Sequence, residues 1–340
     1  MEGQRSLRVL RIARRIGVAL IAASWLACIE VPGEVAETGT CPEGESCVST
    51  EGEAGLRFSG EVPDDLIYAT AGAPRIYPTA VGGTQRIWFG TTLADAQVTA
   101  EPSSVLVVES QGESSFVVRG ISAGSATVSV RDPSGGLYDR ITLQVAEVES
   151  IVLRPVAYDF GPPGSPDLEW SFFRDGGEVT VIFALQSAAG ERLVDRSALP
   201  VASEGVAVES HDTATLTLPV EGDMLSLPIT LGSGELREGT APLASSIDRW
   251  TRMSDGGESL ARAPSIRVGG GISLCFVGMS GERAVHGVPL AVELDELLEL
   301  GDYLTYGIAS CVELRGQAAG MATAVVRGGG AQLSQTVFVE

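Results

Sequence analysis

Any chemistry in this 340-residue chain would have to come from five cysteines, two histidines and a surplus of carboxylates. The cysteines are Cys28, Cys41, Cys47, Cys275 and Cys311. Thiols this sparse can form disulfides, hold zinc or accept a covalent group. Cys41 and Cys47 enclose Pro42 to Ser46 and would close a small loop. With no histidine near them, a disulfide suits the pair better than zinc, which wants four soft ligands. His211 and His286 stand in turn-like contexts and read as solvated loop residues, because metal sites gather several such donors. No Gly-X-Ser-X-Gly elbow joins a strand to a helix, so no hydrolytic nucleophile is signalled. The glycines at 269–271 are followed by neither a lysine nor a helix start, so they are no phosphate cradle. Asp64-Asp65 and the acidic run 293–299 read as solvated faces. Oxygen ligands at inter-repeat loops would suit a structural Ca²⁺; no other cofactor is implied and no catalytic residue is expected. Trp170, Phe172, Phe173 and Trp250 could stack on sugar, although packing in a core or between repeats is the commoner fate of such side chains.

The charge balance narrows the partners. Basic residues number 23, against 44 Asp plus Glu, a formal charge of −21. Every basic residue is arginine, and the sequence has neither lysine nor asparagine. A chain this acidic lacks the basic stripe that phosphate backbones require, which excludes nucleic acid as the expected partner. Forty-two glycines and 17 prolines point to many turns. A helical bundle, a polytopic membrane protein, a collagen and a disordered tail are all excluded.

The first residues are built for export. Arg5, Arg8, Arg11, Arg14 and Arg15 precede an apolar run from Ile16 to Ala27. Twelve residues are too short to cross a hydrocarbon core of roughly 30 Å at about 1.5 Å per residue, and match a signal-peptide core. The run ends at Leu26-Ala27-Cys28, which resembles the lipobox of bacterial lipoproteins, with Trp25 where that family usually has leucine. The resemblance implies cleavage after Ala27, lipid on Cys28 and attachment to the membrane through that lipid. Five cysteines in an exported chain leave one over unless one is modified; lipid on Cys28 leaves four to pair. Ile29, in place of Asp, resembles an outer-membrane address. Loss of residues 1–27 leaves 18 arginines against 43 acids, a net charge of −25. Residues 28–60, rich in Glu, Gly, Ser and Thr and without apolar periodicity, read as a flexible acidic tether.

A threefold repeat follows. Gly82 to Phe89, Gly176 to Phe183 and Gly269 to Phe276 align without gaps at offsets of 94 and 93 residues, each a pair of glycines leading into a strand that ends in Phe. Gly190-Glu191-Arg192 and Gly281-Glu282-Arg283 recur after the strands of the second and third repeats. Gly120 to Arg131 matches Gly316 to Arg327; the second repeat lacks this piece and is the most diverged. Alternation in Ser125 to Val130 and Ile141 to Val145, with Asp132-Pro133-Ser134-Gly135-Gly136 as a hairpin turn, signals strands. Only Val292 to Leu300 has helical spacing, read as a short helical turn. The repeat length suits one small sandwich. Expected domains are residues 61–147, 148–242 and 243–340.

Gly-X-X-Ala-Gly-X-Ala-Thr-X-X-Val at 120–130 and 316–326, followed by a glycine-containing hairpin and a last apolar strand, resembles bacterial immunoglobulin-like domains of group 2. The resemblance implies an all-β chain of three tandem Greek-key β-sandwiches, a spacer or binding module on anchored and exported proteins, adhesins included, and no catalytic residues. In such a sandwich the strands holding Cys275 and Cys311 are neighbours in one sheet. Leu274 and Phe276, and Val312 and Leu314, take the core parity, so both cysteines should face away from the core and form a cross-strand disulfide. Trp88 and Ser115 hold the matching places in the first repeat. The expected function is a non-enzymatic, lipid-anchored envelope protein with envelope proteins or polysaccharide as partners. The alternative is a sugar-binding accessory protein, or an enzyme with an unrecognised site.

Overall fold

The computed structural model describes residues 47–62, 76–156, 169–174, 177–209, 213–252, 263–306 and 309–340. The export segment, Cys28, Cys41, Asp64-Asp65 and His211 lie outside the described residues. Every regular element described is a strand.

The chain forms three immunoglobulin-like sandwiches. The first holds β1 (Cys47–Glu51), β2 (Arg57–Glu61), β3 (Thr79–Ala80), β4 (Thr84–Phe89), β5 (Gln97–Glu101), β6 (Leu106–Gln111), β7 (Ser115–Gly120), β8 (Gly124–Arg131) and β9 (Leu137–Ala146). One of its sheets has the order β1-β2-β4-β7-β6 and the other β3-β9-β8-β5. In immunoglobulin lettering, β2 to β9 are A, A′, B, C, D, E, F and G, with A-B-E-D facing A′-G-F-C. The core follows from period-2 alternation: Val118 from one sheet meets Ala126, Val128 and Val130 from the other, all at most 1% exposed.

The second sandwich holds β10 (Ser150–Pro155), β11 (Trp170–Phe173), β12 (Glu178–Gln186), β13 (Arg192–Leu193), β14 (Leu199–Pro200), β15 (Val206–Val208), β16 (Thr213–Thr217), β17 (Met224–Thr230) and β18 (Leu236–Ala244). The third holds β19 (Arg249–Arg252), β20 (Ser265–Ile266), β21 (Gly271–Ser280), β22 (Arg283–His286), β23 (Ala291–Leu294), β24 (Leu298–Tyr306), β25 (Ala309–Gly316), β26 (Gly320–Gly328) and β27 (Ala331–Val339). The three glycine-led strands of the repeat are β4, β12 and β21, strand B of each sandwich. Each pairs antiparallel with strand E: Ile87 faces Phe116, Val181 faces Ala214 and Leu274 faces Val312. The second sandwich keeps this topology although its sequence has drifted most.

Two expectations need correction. Residues 47–61 belong to no tether: β1 and β2 form a hairpin whose second strand pairs with β4. Phe58 is fully buried, and the hairpin turn is held by Asp139, whose carboxylate accepts from Ala54 N–H (2.7 Å) and Leu56 N–H (2.6 Å). A short strand with one deeply buried aromatic does not show in a composition dominated by glutamate and glycine. The helical spacing at 292–300 is a chain reversal between β23 and β24, closed by Leu298 N–H donating to the Asp295 carbonyl (3.0 Å). Leu294 and Leu297 share a helical interval by coincidence; Leu294 ends β23, Leu297 lies within the turn, and both pack on the sandwich core.

Candidate functional site

Cys275 and Cys311 stand directly opposite each other on β21 and β25 and are joined by a disulfide. The bridge turns away from the main core, as parity requires. It is not on an open surface, however: Cys311 is 1% exposed, in a second cluster with Val277 and Ala284 against which Trp170, Cys275 and Met279 pack. The expectation of an outward bridge is thus right about the sheet face and wrong about its surroundings. Cys47 is also disulfide-bonded.

The cluster over the bridge belongs to a joint between sandwiches, and the joints are the most organised features outside the three cores. In the second and third sandwiches, strand B continues into a hairpin absent from the first. Ten residues separate Ile87 from the start of strand C at Gln97, whereas Val181 to Leu199 spans 18 and Leu274 to Ala291 spans 17. The extra residues form β13 and β22, and the recurring Gly-Glu-Arg is the turn that leads into each.

Both hairpins dock alike, running parallel to the A′ strand of the preceding sandwich. At the first joint, Ala80 N–H donates to the Val194 carbonyl and Val194 N–H to the Pro78 carbonyl, each at 2.9 Å. Asp195 gathers the pieces: its carboxylate accepts from Thr84 N–H (3.3 Å), Ser197 N–H (2.9 Å) and Gly232 N–H (2.8 Å). Glu61, 5% exposed, pairs with Arg196 (2.8 Å) and accepts from Arg86 N–H (3.0 Å). Ala80 packs into the core of the second sandwich. At the second joint, Trp170, Ser171 and Phe172 of β11 pair with Ala284, Val285 and His286 of β22, and Arg283 forms an ion pair with Glu169. β11 thus bridges strand G of one sandwich and the hairpin of the next.

These placements settle several candidates. His286 is no solvated loop residue: it lies in β22, largely buried, edge-on to Phe172 with ring centroids 5.8 Å apart. Its position on a docking hairpin could not be seen without knowing that β11 would lie beside it. Phe172 is fully buried and Trp250 4% exposed, so neither offers a stacking platform for sugar. In the acidic run, Glu293 pairs with Arg327 (3.1 Å) and Glu299 accepts from the Gln317 amide (2.7 Å). Among the described residues no three His, Cys, Asp or Glu side chains are grouped to hold a metal ion. The residues missed by sequence reasoning are Asp195, Glu61 and Asp139, buried or half-buried carboxylates that fasten main-chain N–H groups; the only prior signal was the Gly-Glu-Arg recurrence, which marks the hairpin and not its anchors.

Comparison with known proteins adds little to this geometry. No family model matches the chain, and no curated protein matches it. Among solved structures it is similar to the Escherichia coli adhesin FdeC, at 15% identity over 78% of this chain and 94% of that one, with a TM-score of 0.25. It is similar to invasin, a bacterial integrin-binding protein, at 11% identity over 78% of this chain and 58% of that one, with a TM-score of 0.25. It is similar to the S-layer protein rSbsC at 10% identity over 80% of this chain and 55% of that one, also with a TM-score of 0.25. The chain thus spans little more than half of the latter two proteins. At these scores the likenesses carry no argument, and the immunoglobulin-like fold rests on the strand pairing described above.

Proposed function

We propose that this is an exported, lipid-anchored cell-envelope protein that acts without catalysis, as a spacer and adhesion module built from jointed immunoglobulin-like sandwiches. The observation that carries the reading is the joint itself. Successive sandwiches are fastened by main-chain pairing, buried or half-buried carboxylates and shared apolar packing, an arrangement that supports a stiff array in preference to loosely linked domains. Interfaces of this make restrict the domain motion that short linkers otherwise permit.

Anchoring is supported by the five arginines, the 12-residue apolar run and Ala27-Cys28. Lipid on Cys28 would supply several acyl chains at about 0.8 kcal/mol per buried methylene, enough for stable attachment where one chain is marginal. Ile29 favours the outer membrane. A mature charge of −25 disfavours anionic polymers and favours basic protein surfaces, or contacts bridged by Ca²⁺. The test is fractionation and mass analysis of the wild-type chain beside Cys28→Ser. Lipid on Cys28 and recovery with membranes, both lost in the variant, are expected. A wild-type chain that is soluble and unacylated overturns the anchoring.

A further inference from the structure

We infer that the Cys275–Cys311 disulfide is a redox-operated latch on the joint between the second and third sandwiches: oxidising the two thiols tightens that joint, and reducing them loosens it. Such a latch adds control to the proposed jointed spacer, on whose reading it rests, and needs no lipid on Cys28.

The bridge lies where the joint is made. It ties β21 to β25 on the face turned away from the third core, and the joint covers that face. Packed in one cluster with the two cysteines are Val277 and Met279 of β21, Ala284 of the docking hairpin and Trp170 of the preceding sandwich. Trp170 and Ala284 are partners across the joint. Ala284 N–H donates to the Glu169 carbonyl (3.0 Å), and the Ser171 hydroxyl to the Ala284 carbonyl (3.4 Å). Ala284 is fully buried and Cys311 nearly so, so the docked hairpin and the bridge share one closed seat.

The two joints differ in what fastens them. The Gly-Glu-Arg turns align Val194 with Val285, and the pairing agrees: Val194 bridges Thr79 and Val285 pairs with Ser171, each on an A′ strand. Asp195 and Arg196 therefore correspond to His286 and Gly287. The carboxylate that collects three main-chain N–H groups at the first joint, and the arginine that pairs with Glu61 there, are not repeated at those places in the second. Conversely, strands B and E of the second sandwich set Ile182 opposite Thr213 where the third has the bridge. One joint is fastened by carboxylates, which thiol chemistry leaves alone. The other is built over a bond that thiol chemistry can open.

Closing the latch takes two thiols to one disulfide. Two electrons and two protons pass to the disulfide of an exchange partner, which leaves as a dithiol; a dithiol reductant runs the exchange backwards, entering at the half-buried Cys275. Reduction frees β21 from β25 and leaves two thiols that need more room than the bridge. They sit in a cluster already filled by Val277, Met279, Ala284 and Trp170. A packed cluster relieves such crowding by displacing a neighbour. Trp170 is the member that belongs to another sandwich, so the displacement parts the joint.

The test is native-state amide exchange on the full chain carrying Cys28→Ser, Cys41→Ser and Cys47→Ser, so that the 275–311 bridge is the one disulfide left. The chain is compared oxidised, reduced with dithiothreitol and re-oxidised with glutathione disulfide. Ala284 N–H reports the second joint, Val194 N–H the first, and Val326 the third core. Reduction is expected to speed exchange at Ala284 by about tenfold more than at Val326, to broaden the second-to-third orientation in small-angle scattering and to leave Val194 unchanged. Re-oxidation should restore all three. Cys275→Ser with Cys311→Ser in the otherwise native chain should match the reduced state. An equal rise at Ala284 and Val326, as would follow if reduction unfolded the whole sandwich, overturns the latch. So does an unchanged Ala284, an unchanged orientation or an equal response at Val194. Protection of Ala284 that ignores redox state overturns the latch alone. Ala284 unprotected in the oxidised chain overturns the jointed-spacer reading with it.

Discussion

Cys275 faces Cys311 across the B–E strand pair at the register where the first sandwich sets Trp88 opposite Ser115 and the second sets Ile182 opposite Thr213. One position in the repeat thus accepts a disulfide, an aromatic–serine pair or a β-branched pair, because the B–E ladder and the core behind it fix the geometry. The disulfide closes a separation of 36 residues, which by chain entropy stabilises the third sandwich by about 3–4 kcal/mol. Replacing both cysteines by alanine should lower the free energy of opening of Val312 and Leu314 amides by that amount in native-state hydrogen exchange, with Val118 and Val128 of the first sandwich unchanged. Equal protection of Val312 with and without the bridge would refute this.

Asp195 is the fastener of the first joint, and its loss should uncouple two sandwiches without unfolding either. Its carboxylate accepts from main-chain N–H groups of Thr84, Ser197 and Gly232, which come from both sides of the joint. Hydrogen bonds to a charged acceptor contribute roughly 1.5–3 kcal/mol each. Asp195→Ala should leave both cores intact by amide exchange while broadening the distribution of inter-sandwich orientations seen by small-angle scattering and residual dipolar couplings. A variant that retains the wild-type orientation would show that the apolar seat of Ala80 and the Glu61–Arg196 pair suffice.

Much of the fold was legible because strands declare themselves locally. Ile87, Val181 and Leu274 share the parity of the Phe two places on, and all three lie in the core. The joints were not legible, because they depend on which strand edge lies beside which hairpin, a relation between residues as far apart as Trp170 and Ala284. The β1–β2 hairpin was hidden for a related reason: Phe58 is one apolar residue in an acidic stretch, and its burial depends on Phe89, whose ring lies 6.1 Å away. Carboxylates such as Asp139 look like any surface acid until the N–H groups they satisfy are known.

Asp139 offers the clearest test of that hairpin. It is fully buried, and Ala54 and Leu56 donate to its two oxygens. Asp139→Ala strands those donors, and an unsatisfied buried group costs roughly 1–3 kcal/mol. We expect the turn at 52–56 to lose amide protection and a protease to cut there first, while Val128 and Val130 keep theirs. Unchanged protection at Leu56 would show that β1 and β2 hold without the anchor.

Asp132 gives the protein a pH-sensitive turn. Its carboxylate accepts from the Ser134 hydroxyl (2.6 Å), Ser134 N–H (2.7 Å) and Gly136 N–H (2.9 Å). The Ser134 hydroxyl first, then the Gly136 N–H, hold its pKa below the ordinary carboxylate value. A folded-state pKa below the unfolded one means that the ionised form supports the turn. The contribution is complete above the usual aspartate range near pH 4 and is lost as pH falls through the depressed value. Titration followed at the Gly136 amide should therefore show a midpoint below that of an unstructured aspartate, and Asp132→Asn should abolish the transition. A midpoint at or above the ordinary value would contradict this.

Gly82 and Gly269 form a natural pair of controls for the joint. Both have positive φ, so alanine strains the backbone alike at the two sites, by about 1 kcal/mol. Beyond that cost their surroundings differ. A Cβ at 82 runs into the Ser233 backbone at 2.5 Å, and one at 269 meets open space. Gly269→Ala should therefore lower the stability of the third sandwich by about 1 kcal/mol and change nothing else. Gly82→Ala should impose a similar cost on the first sandwich and also push the F–G turn of the second away, raising exchange at Gly232 and loosening the first joint. The excess effect at Gly82, read as the difference between the two variants in coupling of neighbouring sandwiches, measures what the turn contributes to docking. If both variants leave inter-sandwich orientation untouched, the close approach of Gly82 to Ser233 has no part in holding the joint.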